Sequence, residues 1–322
     1  MSAPAFDPCP VCGSADSERY CTAYDRVLDR RNVEWEIRHC PACGFGWTYP
    51  PLPEDEIGSH YPPTYLGDTV RIIGEFLDGR LAGTRSWRKE TEKVRLVERH
   101  VPGGRILDVG CADGKFLWAL DPGRWERWGV EFSADTVALV RGRIPGLHLL
   151  TGDIHHPDLP EGTFDAVTFW HVLEHLPRPR EVLARVARLL RPGGHAIISL
   201  PNLASLQAAF FRRYWYAFDD VPRHLFHYSP AALERLLAEA GLTVVDHRYF
   251  SQFVNVHCLK YSLMNWSRDR FGSRLPYYLG KPLLFLFPLL ERLFHRYGIL
   301  TMIAVKVGAG NSSAMIQTNI EH

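Results

Sequence analysis

The chain has 322 residues, with 37 Lys plus Arg against 36 Asp plus Glu and a formal net charge of +1. Hydrophobic residues make up 46% and charged residues 23%, which excludes wholesale disorder and suits one large domain with a smaller one. Near-neutrality excludes a whole-molecule field that would gather nucleic acid or an acidic membrane.

The N-terminus lacks the charged-then-apolar layout of a secretory signal, and the apolar run Leu283 to Leu290 is far below the roughly 18 residues of a membrane span. A cytoplasmic protein is expected, where paired cysteines point to metal rather than to disulfides. Cys9-Pro-Val-Cys12-Gly and Cys40-Pro-Ala-Cys43-Gly repeat one pentapeptide. Each brings two thiolates together beside a glycine that can reverse the chain, so Cys9, Cys12, Cys40 and Cys43 predict a closed structural Zn2+ site in a module over residues 1–50. A redox role suits two matched pairs less well. Residues 51–85 begin with a proline-dense stretch and predict a linker or draped arm.

The body of the protein is expected over 86–310. Trp87, Val94, Leu96 and Val97 among charged residues predict a helix from Ser86 to His100, ended by Pro102, Gly103 and Gly104. Short apolar runs at Arg105–Val109, Arg127–Glu131, Leu147–Leu150, Phe164–Trp170 and His195–Leu200 then alternate with helical patterns at Lys115–Leu120, Ala134–Arg143 and Arg180–Leu190. That order predicts an α/β fold, a doubly wound and mostly parallel sheet. Ser229 and Pro230 open a further helix that Gly241 stops, before a strand from Leu242 to Tyr249. About 251–299 reads as an insertion ahead of a last strand, Leu300 to Val307, and 311–322 as a polar tail.

The run Ile106-Leu107-Asp108-Val109-Gly110-Cys111-Ala112-Asp113-Gly114 is a strand entering an acidic, glycine-punctuated turn and then a helix. Backbone N–H groups at such a turn favour a nucleotide-like ligand. The GxGxxG pattern of dinucleotide loops is missing, and Asp108 with Asp113 suits a cationic ligand better than a pyrophosphate. These residues resemble the class I S-adenosylmethionine-dependent methyltransferases over about Gly104 to Tyr249. The resemblance implies that Asp108, Gly110, Cys111, Ala112, Asp113 and Gly114 surround the methionine part of S-adenosylmethionine. It implies that Glu131, with Phe132 beside it, holds the ribose, that Asp153 and the N–H of Ile154 face the adenine, and that His171 borders the sulfonium. The sequence departs at Ala112, where that family more often has glycine; a methyl group there narrows the turn slightly.

His171-x-x-Glu174-His175 also matches a metallopeptidase pattern, which needs a helix to place both histidines on one face. Here it leaves a strand and meets Pro177, so Glu174 and His175 are expected to pack or cap near the sheet edge. The segment Tyr214 to Ser229 is dense in aromatics, histidines and carboxylates, a composition suited to an acceptor pocket. It resembles the H-x-x-x-x-S stretch of sugar methyltransferases that also carry an N-terminal zinc module. That resemblance implies His224 as the base, and His227, Tyr216 and Asp219 are supporting candidates.

The expected activity is methyl transfer to a small molecule or glycan precursor, with nucleotide- or lipid-linked sugars among the candidates. An rRNA methyltransferase is the alternative, opposed by the net charge, by only six lysines and by the absence of a basic run beside the cysteine pairs. A non-catalytic scaffold that keeps the cofactor pocket is the alternative of another class. Pro282 to Phe294, with Arg268, Arg270, Arg274 and Lys281 upstream, fits a lid, a dimer face or peripheral membrane contact through 281–294; a buried helix is the plain reading.

Overall fold

The computed structural model describes residues 8–62, 84–248 and 252–308. The tail at 311–322 and most of the arm at 63–83 lie outside these. The central sheet has seven strands, β4 (Gly104–Val109), β5 (Trp125–Glu131), β6 (Leu147–Thr151), β7 (Phe164–Trp170), β8 (Leu190–Pro201), β10 (Leu242–Arg248) and β11 (Ile299–Lys306), in the order β10-β11-β8-β7-β4-β5-β6. Only β11 runs antiparallel to its neighbours. The chain steps outward from β4 to β6 and then returns to β7 on the other side of β4. The order therefore reverses between β4 and β7, where a crevice opens beyond the strand ends.

Alternation along the strands sorts the core onto two faces. Leu107, Val109, Val167, Phe169 and Ile198 pack toward α4 (Pro179–Leu189) and α6 (Pro230–Glu239), while Ile106, Ala166 and Ile197 pack toward α1 (Arg85–His100) and α2 (Lys115–Ala119). Burial on both faces explains the continuous apolar runs. Helix α3 (Ala134–Val140) starts at Ser133, whose side chain accepts from the Thr136 N–H, and α6 starts at Ser229, which accepts from the Ala232 N–H. Strand β8 begins at Leu190, earlier than its apolar run suggests, because Leu190 pairs with Phe164 across an irregular register.

The N-terminal segment forms an antiparallel sheet of β1 (Glu18–Asp25), β2 (Arg30–His39) and β3 (Gly46–Tyr49). Its fourth strand, β9 (Phe226–His227), comes from the other end of the chain and pairs Trp47 with Phe226. Phe45, Trp47, Phe226 and Tyr228 pack in one cluster with the central-sheet core. The cysteine module is thus continuous with the body of the fold. The proline-dense stretch departs from a plain linker: Pro53 precedes a helical turn, Glu54–Ile57, and a 3-10 turn, Gly58–His60, follows.

The insertion forms α7 (Gln252–Phe271), α8 (Leu275–Gly280) and α9 (Leu283–Phe294), which join α5 (Leu206–Phe211) in a separate apolar cluster. Among the described residues no helix is long and apolar enough to cross a membrane.

Candidate functional site

The turn after β4 is built by backbone requirements. Gly110 has φ +68°, and a Cβ there would lie 2.7 Å from Val172 at the end of β7, so only glycine lets the two strand ends approach. Ala112 also has a positive φ, 46°. Its side chain is exposed at the turn, and alanine there also carries the cost of a left-handed backbone. The Ala112 N–H donates to Glu131 Oε2 at 3.0 Å, and the Ser133 N–H donates to Oε1 at 2.9 Å. One carboxylate therefore ties the turn after β4 to the turn after β5.

Asp108 is buried beneath this turn and accepts a 2.7 Å hydrogen bond from Thr168 Oγ1. Burial pushes its carboxyl up to about 7 against the Thr168 bond. Cys111 is buried, and Asp113 pairs with Lys115. Gly114 caps α2 in the left-handed region. Asp153, just past β6, is exposed and holds the His155 N–H at 2.8 Å. Phe132 is exposed beside Glu131. The Ile154 side chain is buried in the core, and its carbonyl faces Arg185. Register places Glu131 against Thr151 and Asp108 against Gly129, so Asp108, Glu131 and Asp153 follow one another across adjacent strand ends. His171, with φ +59°, closes the end of β7 on the other side of the crevice.

His171 also borders a cavity of about 580 Å³. Its walls come from the β1–β2 hairpin (Tyr24, Arg26), from the segment after α5 (Tyr216, Asp219, Asp220, His224) and from α7 (His257, Tyr261). The cysteine module thus reaches the cavity through its hairpin. His224 is buried, with Nδ1 2.6 Å from the Ala217 carbonyl oxygen. A carbonyl can only accept, so Nδ1 carries the proton and Nε2 is the basic nitrogen, 3.6 Å from Asp220 Oδ2. Arg223, fully buried, binds Asp25 at 2.8 Å through two nitrogens and Asp220 at 2.6 Å, which pins the hairpin to this segment.

Asp219 accepts from Asn265 at 2.7 and 2.8 Å and lies 3.4 Å from Arg26; burial, opposed by Arg26, raises its carboxyl to about 7. It joins the hairpin, the 216–218 turn and α7. Tyr216 has a buried hydroxyl with no hydrogen-bond partner among the described residues, and the Cys258 thiol is its polar neighbour.

His227 is a correction. It belongs to β9, is buried against Phe218 and Thr48, and is not on the cavity wall. Burial lowers its basicity far below the usual histidine value. The structure gives it a packing place and removes it from the acceptor side.

Glu174 and His175 gain an importance that a motif for packing or capping did not convey. They lie on a 3-10 turn, Leu173–His175, which is no helix for a metallopeptidase pair. Glu174 is 1% exposed, and neither of its oxygens has a hydrogen-bond partner among the described residues. Burial pushes its carboxyl up, but His171 Nδ1, 3.6 Å away, leads the histidines that outweigh this and leave it below the usual value. His175 Nδ1 lies 3.0 Å from the Tyr61 hydroxyl and 3.1 Å from the Arg223 carbonyl, and its ring packs 4.5 Å from that of His224. Burial and then His224 lower His175 to about 4. Ligand atoms of Glu174, His175 and His224 all lie within 4.8 Å of one another.

The four module cysteines form a second centre. Cys9 Sγ lies 3.6 Å from Cys43 Sγ, and Cys12 Sγ lies 3.5 Å from Cys40 Sγ. The two knuckles repeat each other: the Gly13 N–H donates to Cys9 O and the Gly44 N–H to Cys40 O, with φ +73° and +72°. Tetrahedral Zn–S bonds of about 2.3 Å require sulfurs roughly 3.8 Å apart, so the donor set fits zinc.

Comparison with known proteins agrees with this architecture. The profile of a family described as "Methyltransferase domain" matches residues 81–247. A curated protein of Mycolicibacterium smegmatis, named "Probable S-adenosylmethionine-dependent methyltransferase", is 29% identical over 189 residues, covering 58% of this chain and 70% of that protein. A ubiquinone biosynthesis O-methyltransferase of Thiobacillus denitrificans is 30% identical over 169 residues, covering 47% and 70%. The crystal structure of the cyclase SpnF shares the fold, with a TM-score of 0.51 and 19% identity over 80% of this chain and 98% of SpnF. The parallel sheet, its reversal at β4 and β7 and this family match together show that the chain belongs to the class I S-adenosylmethionine-dependent methyltransferases.

Proposed function

We propose that this methyltransferase acts on a hydroxyl of a small molecule or glycan precursor held in the cavity between the β1–β2 hairpin and α7, with His224 as the base. The observation that carries this reading is the tautomer of His224: Nδ1 is anchored on Ala217, which leaves Nε2 as a proton acceptor at the cavity wall. The Tyr216 hydroxyl on the cavity wall, without a hydrogen-bond partner of ordinary length among the described residues, supports a polar acceptor, because buried polar groups need partners. The wall carries Asp29, Asp219, Asp220 and Asp269 interleaved with Arg26, Arg31 and Arg268, a mixed polar lining that suits the hydroxyls of a sugar-like acceptor. The O-methyltransferase name of the Thiobacillus relative agrees with oxygen as the target.

In the same reading, Asp108 and the turn at Gly110 to Gly114 hold the cationic methionine part of S-adenosylmethionine. Glu131 accepts from the ribose hydroxyls, Asp153 and the Ile154 N–H face the adenine, and His171 borders the sulfonium. The bound cofactor supplies the electrophilic methyl group. The protein's share is alignment and proton removal. The four cysteines hold a structural zinc ion that fixes the hairpin wall.

The reading is tested by incubating the purified protein and S-adenosylmethionine with a panel of phenolic, sugar and nucleotide-sugar acceptors. Acceptor-dependent release of S-adenosylhomocysteine, with an O-methyl product by mass spectrometry, is the expected result. Methylation at nitrogen or carbon across the panel overturns it.

A further inference from the structure

Helix α9 is apolar on the wrong side as well as the right one. Leu284, Phe287 and Glu291 face inward, where Phe287 packs on Phe210 and Phe211 and Glu291 accepts from Gln207 and Asn255. A helix anchored in this way presents polar residues to water. Here the outer face carries Phe285, Leu286, Leu289, Leu290, Leu293 and Phe294, with Phe285 81% and Leu293 70% exposed. Leu275, Tyr278 and Leu279 on α8 continue the surface, and exposed Phe210 adjoins it. The reading of this run as a buried helix is therefore excluded.

The exposed charge of the stretch that carries the patch has one sign among the described residues. Between residues 266 and 297, Arg268, Arg270, Arg274, Lys281, Arg292 and Arg296 are exposed. The two carboxylates of that stretch are turned away: Asp269 pairs with Arg26, and Glu291 is buried. An apolar face ringed by cations is the layout of a helix lying in a lipid headgroup layer. At 12 residues, α9 is about 18 Å long, too short to span a bilayer and suited to lying in its plane. A second copy of the chain is a poorer occupant, because pairing this face with itself sets the arginines of residues 266–297 against one another, and that stretch offers no exposed carboxylate to offset them.

We infer that α8 and α9 dock the enzyme on an anionic lipid surface. The docked face adjoins the acceptor cavity: α7 lines the cavity with His257 and Tyr261, while its Leu263 packs under Gly280 of α8 and its Asn255 reaches Glu291 of α9. Docking brings the cavity to the bilayer surface and selects a lipid-carried acceptor. That consequence rests on the acceptor site proposed above, and the docking itself does not.

The test is sedimentation of the full-length protein with vesicles of phosphatidylcholine alone and of phosphatidylcholine with phosphatidylglycerol. The protein is expected to bind the anionic vesicles and to be released by salt. The double variant Phe285→Asp, Leu289→Asp is expected to lose at least about tenfold in partitioning, and Arg274→Glu, Lys281→Glu to lose the preference for anionic lipid. No vesicle binding by the wild-type chain, unchanged binding by the first variant, or a dimer in sedimentation velocity that the first variant dissolves without any vesicle binding each overturns the inference. Titration of S-adenosylhomocysteine into the same preparations is expected to be unchanged, and its failure would count against the cofactor site instead.

Discussion

His224 donates its Nδ1 proton to the carbonyl oxygen of Ala217 at 2.6 Å, which leaves Nε2 as the unprotonated nitrogen, 3.6 Å from Asp220 Oδ2. Replacement by glutamine keeps bulk and polarity but removes the base. For His224→Gln we expect kcat to fall about 10²- to 10⁴-fold, with S-adenosylhomocysteine affinity within about threefold of wild type. Turnover within threefold of wild type, with cofactor affinity intact, would remove His224 from the mechanism.

Asp108 gives a pH signature. Burial raises its carboxyl to about 7 in the free protein, so below pH 7 it is mostly protonated and must lose that proton to attract a cationic ligand. Affinity for S-adenosylmethionine is therefore expected to rise with pH up to about 7 and to level off above it, with a limiting slope of about tenfold per unit. Asp108→Asn is expected to bind more weakly and to flatten the profile. A wild-type profile that falls between pH 6 and 7 contradicts the assignment.

The buried pair of Arg223 and Asp25 joins the hairpin to the segment that carries His224. Removing Asp25 leaves the buried Arg223 guanidinium with Asp220 as its carboxylate partner, so two of its charge-assisted hydrogen bonds are lost in the interior. Asp25→Ala is expected to cost about 3–5 kcal/mol in urea denaturation. A loss below about 1 kcal/mol would show that the hairpin is held by its apolar packing alone.

Chelation separates the two binding functions. The cysteine module supplies the hairpin wall of the cavity but no residue of the cradle at Asp108, Glu131 and Asp153. One equivalent of zinc per chain is expected by elemental analysis, lost in Cys40→Ser. Its removal should lower the melting temperature and raise KM for the acceptor several-fold more than KM for S-adenosylmethionine. Equal effects on both constants contradict this division.

The parallel strands were legible because burial on two faces leaves continuous apolar runs, as in Phe164 to Trp170. The four cysteines and the turn at Gly110 were legible because each depends on short-range spacing. His227 misled because its neighbourhood is long-range: the pairing of Gly46 with His227 joins residues far apart in the chain. Glu174 reads as packing in sequence because the motif shows its neighbours His171 and His175 but not that His224, from a distant segment, joins them around a buried carboxylate. Pro282 to Phe294 left several readings open because an apolar run without periodicity gives no sign of which face is covered. The exposed Phe285 shows that the outer one is bare.

The central claim is that the turn after β4 and the carboxylate of Glu131 together hold S-adenosylmethionine, the turn its methionine part and Glu131 its ribose. Calorimetric titration of S-adenosylhomocysteine into wild type and Glu131→Gln tests it most directly. The account predicts one site per wild-type chain and at least about 30-fold weaker binding in a variant that remains folded by circular dichroism, since charge-assisted hydrogen bonds to ribose are lost. Equal affinity in the two proteins would contradict it.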